Sequence, residues 1–208
     1  MLESLHAPLD CLMRVRQVHG NSVRVIGRGH VTNLTRDEQP DADAVVSNQP
    51  GLVLAVMVAD CVPILIADAE GSAAAAIHAG WRGTCARVVS ATVEAMATVF
   101  GTRAEHLVAA IGPSIGPDDY EVGEPVVAAF LSAGHSRVAV DRWFLRAPAK
   151  PHLDLWTANR DQLIAAGVRP DRIFTSGLST LQHTDVFDSY RAEGERAGRM
   201  AALIVVPG

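Results

Sequence analysis

The sequence has 208 residues, of which 49% are hydrophobic and 20% charged, and its formal net charge is −5. This composition excludes a disordered chain, and an acidic balance without a Lys/Arg cluster argues against nucleic acid as a partner. The three cysteines are too few for a disulfide framework, and the first residues, "MLESLHAPLDCLMRV", lack the features of a secretory signal. We therefore expect a cytoplasmic protein with one domain over residues 1–208.

The first eighty residues predict mainly strands. The predicted strands are "NSVRVIG", "AVVSNQPG", "LVLAVMVA", "VPILIAD" and "SAAAAIHAG". The first alternates apolar and polar residues, which is typical of a half-buried strand, and the third and fourth are continuous apolar runs. The polar stretch "HVTNLTRDEQPDAD" predicts a loop. Asp60 and Pro63 interrupt the apolar runs, so neither run is long enough to span a membrane.

The remaining sequence alternates helices with strands. Apolar residues recur at helical spacing from Val89 to Phe100, with Gly101 where a helix would end. "GEPVVAAFLSAG" predicts a short helix with Pro125 near its start. "HLVAAIGPSIG", "RIFTSG" and "RMAALIVV" predict further strands.

A third helix is predicted for "LDLWTANRDQLIAAGV". Asp154 can cap its first turn, and Trp156, Leu163 and Ile164 share one face. Since adjacent strands are mixed with strand–helix alternation, the pattern predicts an α/β chain with a mixed, partly double-layered sheet.

Reactive side chains occur where three predicted strands meet loops. They are His19 in "RQVHGNSV", Cys61 in "VADCVP" and His78 in "AAAAIHAGWRGT". A thiolate and two neutral imidazoles suit a zinc site that keeps a fourth position open. They also suit a metal-free hydrolase in which Cys61 is the nucleophile and His78 its base. A free cysteine in an apolar run is also often a small buried hydrophobe, and spacing alone does not separate these hypotheses.

The loop "GPSIG", residues 112–116, follows a predicted strand. Such a loop can present backbone N–H groups to an anion, and Ser114 lies at its centre. The alternative is a rigid turn without a ligand. No Gly-Lys-Ser/Thr follows, so the loop is not a Walker motif.

Taken together, these motifs resemble a known family. The stretches in question are "QVHGNSV", "DADAVVSNQPGLVLAVMVADCVPILIAD", "AAIHAGWRGT", "IGPSIGPDDYEVG" and "SYRAEGERAGRMAALI". In this order they resemble the bacterial YfiH, or laccase-domain, family, once called multicopper polyphenol oxidases. The resemblance implies an α+β fold with four layers, α-β-β-α, around a mixed β-sandwich related to a group of cysteine hydrolases.

The resemblance also implies a zinc site made by His19, Cys61 and His78, which would be the catalytic centre. Laccase chemistry needs several copper ions and many more histidine ligands than this set offers. Copper is therefore the less favoured ion, and polyphenol oxidation is the less favoured activity. The implied activity is phosphorolysis of adenosine, inosine or methylthioadenosine to free base and ribose 1-phosphate, together with adenosine deamination.

The expected partners are therefore a purine nucleoside and phosphate, bound by a monomer or small homo-oligomer. The planar fork of Arg82 matches phosphate oxygens, which makes it a candidate for the phosphate contact. The residues expected to bind substrate or phosphate are Arg82, Ser114, Tyr190 and Arg191.

The sequence departs from the family pattern in two places. Only about sixteen residues precede Gln17, so the family's "TRxGGxS" and "SLNL"-like motifs are missing. Near the C-terminus, "GLSTLQHTDVFDSYRAEG" lacks the family's "CT" motif and has Asp188 and Ala192 in place of an aromatic and an arginine. The C-terminal departure predicts altered substrate contacts with the zinc ligands retained. The N-terminal one means either that the true start lies upstream or that this is a shortened member, which leaves open a catalytically impaired member that binds nucleosides without turnover.

Overall fold

The computed structural model describes residues 11–27, 38–71, 73–145 and 150–207. Its strands are β1 (Leu12–Met13), β2 (Val23–Ile26), β3 (Ala44–Ser47), β4 (Val53–Val58), β5 (Val62–Asp68), β6 (Ala74–Ala79), β7 (Leu107–Ile111), β8 (Phe144–Leu145), β9 (His152–Leu153), β10 (Ile173–Thr175) and β11 (Met200–Val205). Its α-helices are α1 (Trp81–Cys85), α2 (Val88–Phe100), α3 (Glu124–Ser132), α4 (Arg137–Trp143), α5 (Leu155–Ala165) and α6 (Tyr190–Glu193). Most of the predicted loop over residues 30–43 lies outside the described residues.

A mixed six-stranded sheet forms the centre of the fold, in the order β10-β7-β5-β6-β3-β2. β5 and β6 pair antiparallel, with Ile64 opposite Ile77 and Pro63 opposite His78. A second sheet has the order β1-β4-β11, with β4 and β11 antiparallel and β1 and β4 parallel. The α+β class agrees with what the family resemblance implies, and the mixed sheet agrees with the sequence pattern, which had pointed to an α/β chain.

The alanine-rich strand β6 is buried on both faces, and all six of its residues are buried. Ala74 and Ala76 pack with Leu54 and Val56 in the cluster between the two sheets. Ala75 and Ile77 belong to a second cluster, which also contains the apolar face of α2. Small side chains on alternate positions let both neighbouring layers approach the central sheet closely.

The predicted strands and helices are present, but the buried face of α5 differs from the prediction. Asp154 caps the helix by accepting a hydrogen bond from Thr157 N at 2.9 Å, as expected. Ile164, however, is 37% exposed. The buried face includes Asn159 and Gln162, because both side chains hydrogen-bond to Thr84 of α1.

Several short elements were not predicted, among them α1, α4 and the β8–β9 pair. Five residues containing Gly83 give α1 too short a pattern to stand out from a loop. None of the helices in the described ranges is long and apolar enough to cross a membrane. A fourth layer and the relation to cysteine hydrolases stay predictions.

Candidate metal centre and substrate site

The structure brings His19, Cys61 and His78 together. One ligand atom from each residue lies within 4.8 Å of the other two. His78 lies on β6 opposite Pro63 of β5, so Cys61, two residues before that proline, reaches the same end of the sheet. The loop before β2 adds His19, whose ring meets the His78 ring edge-on with centroids 4.8 Å apart.

The three ligands differ in exposure. His78 is buried, Cys61 is half-buried and His19 is exposed. One side of the cluster is therefore open to solvent. A metal ion bound to these atoms would be reachable by a substrate from that side.

The structure explains why a glycine stands at position 80, two residues after His78. A Cβ atom built on Gly80 would lie 2.8 Å from Cys61 Sγ and 3.3 Å from His19 Cδ2. Only a residue without a side chain leaves this space to the thiol and the imidazole.

Gly80→Ala is expected to weaken zinc binding at least about tenfold, as the loss of a ligand-orienting contact does. The added methyl group must displace the Cys61 thiol, so the loss should appear in a zinc titration against a chromophoric chelator. Gly123→Ala is a suitable control, because its φ is −88° and the added atom would meet only Pro125, at 3.3 Å. Equal zinc affinity in wild type and the Gly80 variant would contradict this account.

Sequence reasoning missed Asp43, whose carboxylate holds both histidines. Its Oδ1 accepts hydrogen bonds from His78 Nδ1 at 2.8 Å and His19 N at 2.9 Å. Its Oδ2 accepts one from Gly20 N at 2.5 Å. The bonds to His19 and Gly20 hold His19 in its left-handed conformation, with φ of 61°. A carboxylate that binds Nδ1 leaves Nε2 of His78 as the ligand atom, the usual arrangement behind a metal-bound histidine.

In the metal-free cluster, hydrogen bonds favour the thiolate form of Cys61 and the protonated form of His78. Burial opposes ionisation of Cys61, but hydrogen bonds from His19 and His78 lower its pKa to about 7. Burial also opposes a charge on His78, but hydrogen bonds to Asp43 and Cys61 raise its pKa to about 9. A thiolate that forms near neutral pH, with an imidazole on each side, is a donor set that fits Zn²⁺.

Three of the four residues predicted to bind substrate or phosphate have exposed side chains. Arg82 is exposed on α1, with its guanidinium 4.4 Å from the centroid of the Trp81 ring. Arg191 lies 5.2 Å from the centroid of the Tyr120 ring and donates to Glu121 O. Tyr190 is 51% exposed. These three side chains are available to a ligand.

Ser114 does not fit the anion-binding role that the sequence predicted. It is fully buried, and its hydroxyl accepts a hydrogen bond from Trp156 Nε1 at 2.6 Å. The backbone N–H groups of the loop donate within the protein; their acceptors are Pro63 O, Leu178 O, Asp60 O and Ser179 Oγ. The loop is thus a rigid turn, because its donors are already used.

Tyr120 is a further group that sequence reasoning missed, although it lies in one of the quoted motifs. Burial raises the pKa of Tyr120 to about 12, and the charge of Cys61 adds to this effect. The positive charges of Arg191 and Arg82 oppose it. Tyr120 is therefore a protonated donor at neutral pH, and its ring lies against the Arg191 guanidinium.

Comparison with known proteins places this chain in a family. A family model described as multi-copper polyphenol oxidoreductase laccase matches residues 1–207. A purine nucleoside phosphorylase of Bacteroides thetaiotaomicron is 38% identical over 195 residues, which cover 91% of this chain and 71% of that protein. Adenosine deaminase RL5, from an unknown prokaryotic organism, is 41% identical over 202 residues, covering 94% of this chain and 75% of that protein.

Solved structures agree with these matches. The hypothetical protein YfiH of Bacillus licheniformis superimposes with a TM-score of 0.91 at 27% identity, covering 98% of this chain and 77% of that one. YlmD from Geobacillus stearothermophilus gives a TM-score of 0.89 at 30% identity, covering 99% and 77%. The resemblance deduced from the motifs is confirmed, and this chain belongs to the YfiH family of laccase-like domains.

Proposed function

We propose that this chain is a zinc-dependent purine nucleoside phosphorylase that also deaminates adenosine. Its substrates would be adenosine, inosine or methylthioadenosine with phosphate, and its products the free base and the sugar 1-phosphate. The observation that carries the proposal is the His19–Cys61–His78 cluster, whose ligand atoms lie within 4.8 Å of one another. The names of the relatives, a phosphorylase and an adenosine deaminase, support the substrate class.

His19, Cys61 and His78 are the residues that would hold the zinc ion. Bound zinc supplies a Lewis acid for an oxygen atom, or an activated water for deamination. Asp43 keeps His78 oriented by its hydrogen bond to Nδ1. Copper is the alternative ion, and a blue colour or an EPR signal from the purified protein would favour it.

The chain's other residues would bind and orient the substrates. In phosphorolysis a phosphate oxygen attacks the anomeric carbon, the glycosidic bond breaks, and the purine leaves with the bonding electrons and takes up a proton. We assign the phosphate to Arg82 and Arg191, because guanidinium groups match phosphate oxygens in geometry and charge. Tyr190, half exposed, offers an aromatic face to the nucleoside.

Arg82→Ala is expected to raise the KM for phosphate about 10- to 100-fold, because a lost hydrogen bond to a charged group costs about 1.5–3 kcal/mol. The KM for adenosine should change little. Arg137→Ala is a matched control, because Arg137 is on the surface of α4 and pairs with Asp141. If the phosphate dependence of the Arg82 variant equals that of wild type, Arg82 is not part of the site.

A second candidate function is a metal-free cysteine hydrolase. The observation in its favour is the lowered pKa of Cys61, about 7, beside His78. This function predicts full activity in the presence of chelators and inactivation by alkylation of Cys61. A third candidate is the nucleoside-binding member without turnover, which predicts bound metal and nucleoside affinity but no product.

We infer that residues 1–208 form one catalytic domain that works in the cytoplasm, where its three cysteines stay reduced. The test of the proposed function is chromatography of adenosine incubated with the purified chain, with and without phosphate. Phosphate-dependent release of adenine is the expected result, and inosine would report the deaminase. A zinc-loaded protein that yields neither product would overturn the proposed activity.

A further inference from the structure

Asp60, the residue before Cys61, has a strained backbone and a fully engaged carboxylate. Its φ is 79°, in the left-handed region that aspartate tolerates better than most residues. The side chain is buried, and it accepts hydrogen bonds of 2.6 Å from Thr180 Oγ1 and of 2.6 Å from Arg191 N. One carboxylate thus joins the turn that carries Cys61 to two distant points near the C-terminus.

The segment that Asp60 holds has few other anchors. Helix α6, Tyr190–Glu193, has no buried residue, so apolar packing does not fix its position. Among the described residues, α6 is held by the buried Ser189, whose hydroxyl accepts from Ala192 N, and by the bond from Arg191 N to Asp60. The Arg199 guanidinium also lies 5.9 Å from the centroid of the Tyr190 ring. The Arg191 side chain extends from this helix to the Tyr120 ring and to Glu121 O. Asp60 therefore fixes the backbone end of Arg191, while Tyr120 and Glu121 hold its guanidinium end.

We propose that Asp60 is a positioning residue that fixes Arg191 relative to Cys61, and so sets the distance between the phosphate-binding and metal-binding ends of the site. The role of Arg191 as a phosphate ligand rests on the proposed function. The link itself rests on the two hydrogen bonds and on the lack of apolar anchoring of α6. Because Asp60 and Cys61 are consecutive, the same backbone turn positions the Cys61 thiol and, through the Asp60 carboxylate, Arg191.

Two substitutions distinguish the effect of the Asp60 carboxylate from the effect of the left-handed backbone at this position. Asp60→Gly removes the carboxylate but accepts a φ of 79° without strain. Asp60→Asn keeps both the shape and the bonds, because its amide oxygen can accept from Arg191 N while its N–H₂ donates to the Thr180 hydroxyl. The asparagine variant is thus the control in which function should be rescued.

The expected result for Asp60→Gly is a rise of about tenfold in the KM for phosphate with a much smaller change in kcat. Zinc content should stay at the wild-type level. The rise should not add to that of Arg191→Ala, since both changes would remove the same contact. Asp60→Asn should lie near wild type. Amide hydrogen exchange in peptides covering residues 180–199 should be faster in the glycine variant alone.

Three results would overturn the proposal. The first is a glycine variant with unchanged phosphate KM and unchanged exchange. The second is a glycine variant that binds zinc more weakly but has a normal phosphate KM once it is fully loaded with zinc. Asp60 would then position only Cys61 and not Arg191. If Asp60→Gly does not fold, Asp60→Ser takes its place, because one short hydroxyl cannot replace the two carboxylate oxygens that bind Thr180 Oγ1 and Arg191 N. The third overturning result is then no rise in the phosphate KM of the serine variant and no faster exchange. Absence of phosphorolysis in the wild type would reject the proposed function, while the exchange data would still decide on Asp60.

Discussion

Asp43→Ala is expected to lower the free energy of unfolding of the metal-free protein by about 3–5 kcal/mol, because that is the cost of removing one partner of a buried ion pair. The imidazole of His78 and the backbone N–H groups of His19 and Gly20 would all lose their acceptor. The pKa of His78, raised to about 9, gives the sign of the pH dependence. The stabilisation is complete below about pH 6.5 and is lost as the pH rises through about 9, so the deficit of the variant should shrink above pH 9.

Urea unfolding at pH 6 and above pH 9 measures this effect, and a zinc titration should show affinity about 10- to 100-fold lower in the variant. Asp41→Ala is a matched control within the same "DAD" sequence. Asp41 is half exposed and pairs with Arg16 at the surface, so its loss should barely move the unfolding midpoint. Indistinguishable behaviour of the two variants would show that Asp43 does not hold the cluster.

Cys61 of the metal-free protein is expected to react with iodoacetamide with a rate that is half-maximal near pH 7. The hydrogen bonds from His19 and His78 outweigh burial and lower its pKa to about 7, so the thiolate fraction rises through neutral pH. Zinc at 100 times its dissociation constant should slow the reaction about 100-fold at pH 7, since about 1% of the sites stay empty. Mass spectrometry of the labelled peptide gives the rate for this cysteine alone.

The other cysteines provide internal controls for this experiment. Burial raises the pKa of Cys85, so its labelling should be slow at pH 7 and indifferent to zinc. Asp43→Asn should move the half-maximal pH of Cys61 upward, because His78 would hold its proton less tightly. A half-maximal rate near the ordinary thiol value of about 8.5, or labelling that zinc does not slow, would contradict the geometry of the triad.

The three candidate metal ligands could be singled out from the sequence because each stands where a predicted strand meets a loop, and His19 and His78 also have glycines close by. The zinc assignment itself came from the resemblance to the family. Local pattern also predicts α2, whose apolar residues recur at helical spacing, and β6, whose continuous apolar run is bounded by Gly71 and Gly80. Strand ends meet at the edges of sheets, so side chains that are far apart in the sequence come together without further information.

The groups that support the ligands could not be predicted in this way. Asp43 and Asp60 are two of 23 acidic residues, and their importance follows from burial and from partners many residues away. The same reason explains the errors. The buried face of α5 is set by its bonds to Thr84, and the hydroxyl of Ser114 is used by Trp156. Both facts depend on tertiary contacts that no local pattern contains.

We expect His19, Cys61 and His78 to hold one zinc ion together. X-ray absorption at the zinc edge, on protein loaded with one equivalent of zinc, identifies the atoms bound to the metal. We expect one sulfur atom at about 2.3 Å and two imidazole nitrogens at about 2.0–2.1 Å, with the remaining position filled by a light atom. A spectrum without a sulfur neighbour, or one that Cys61→Ser leaves unchanged, would contradict this expectation.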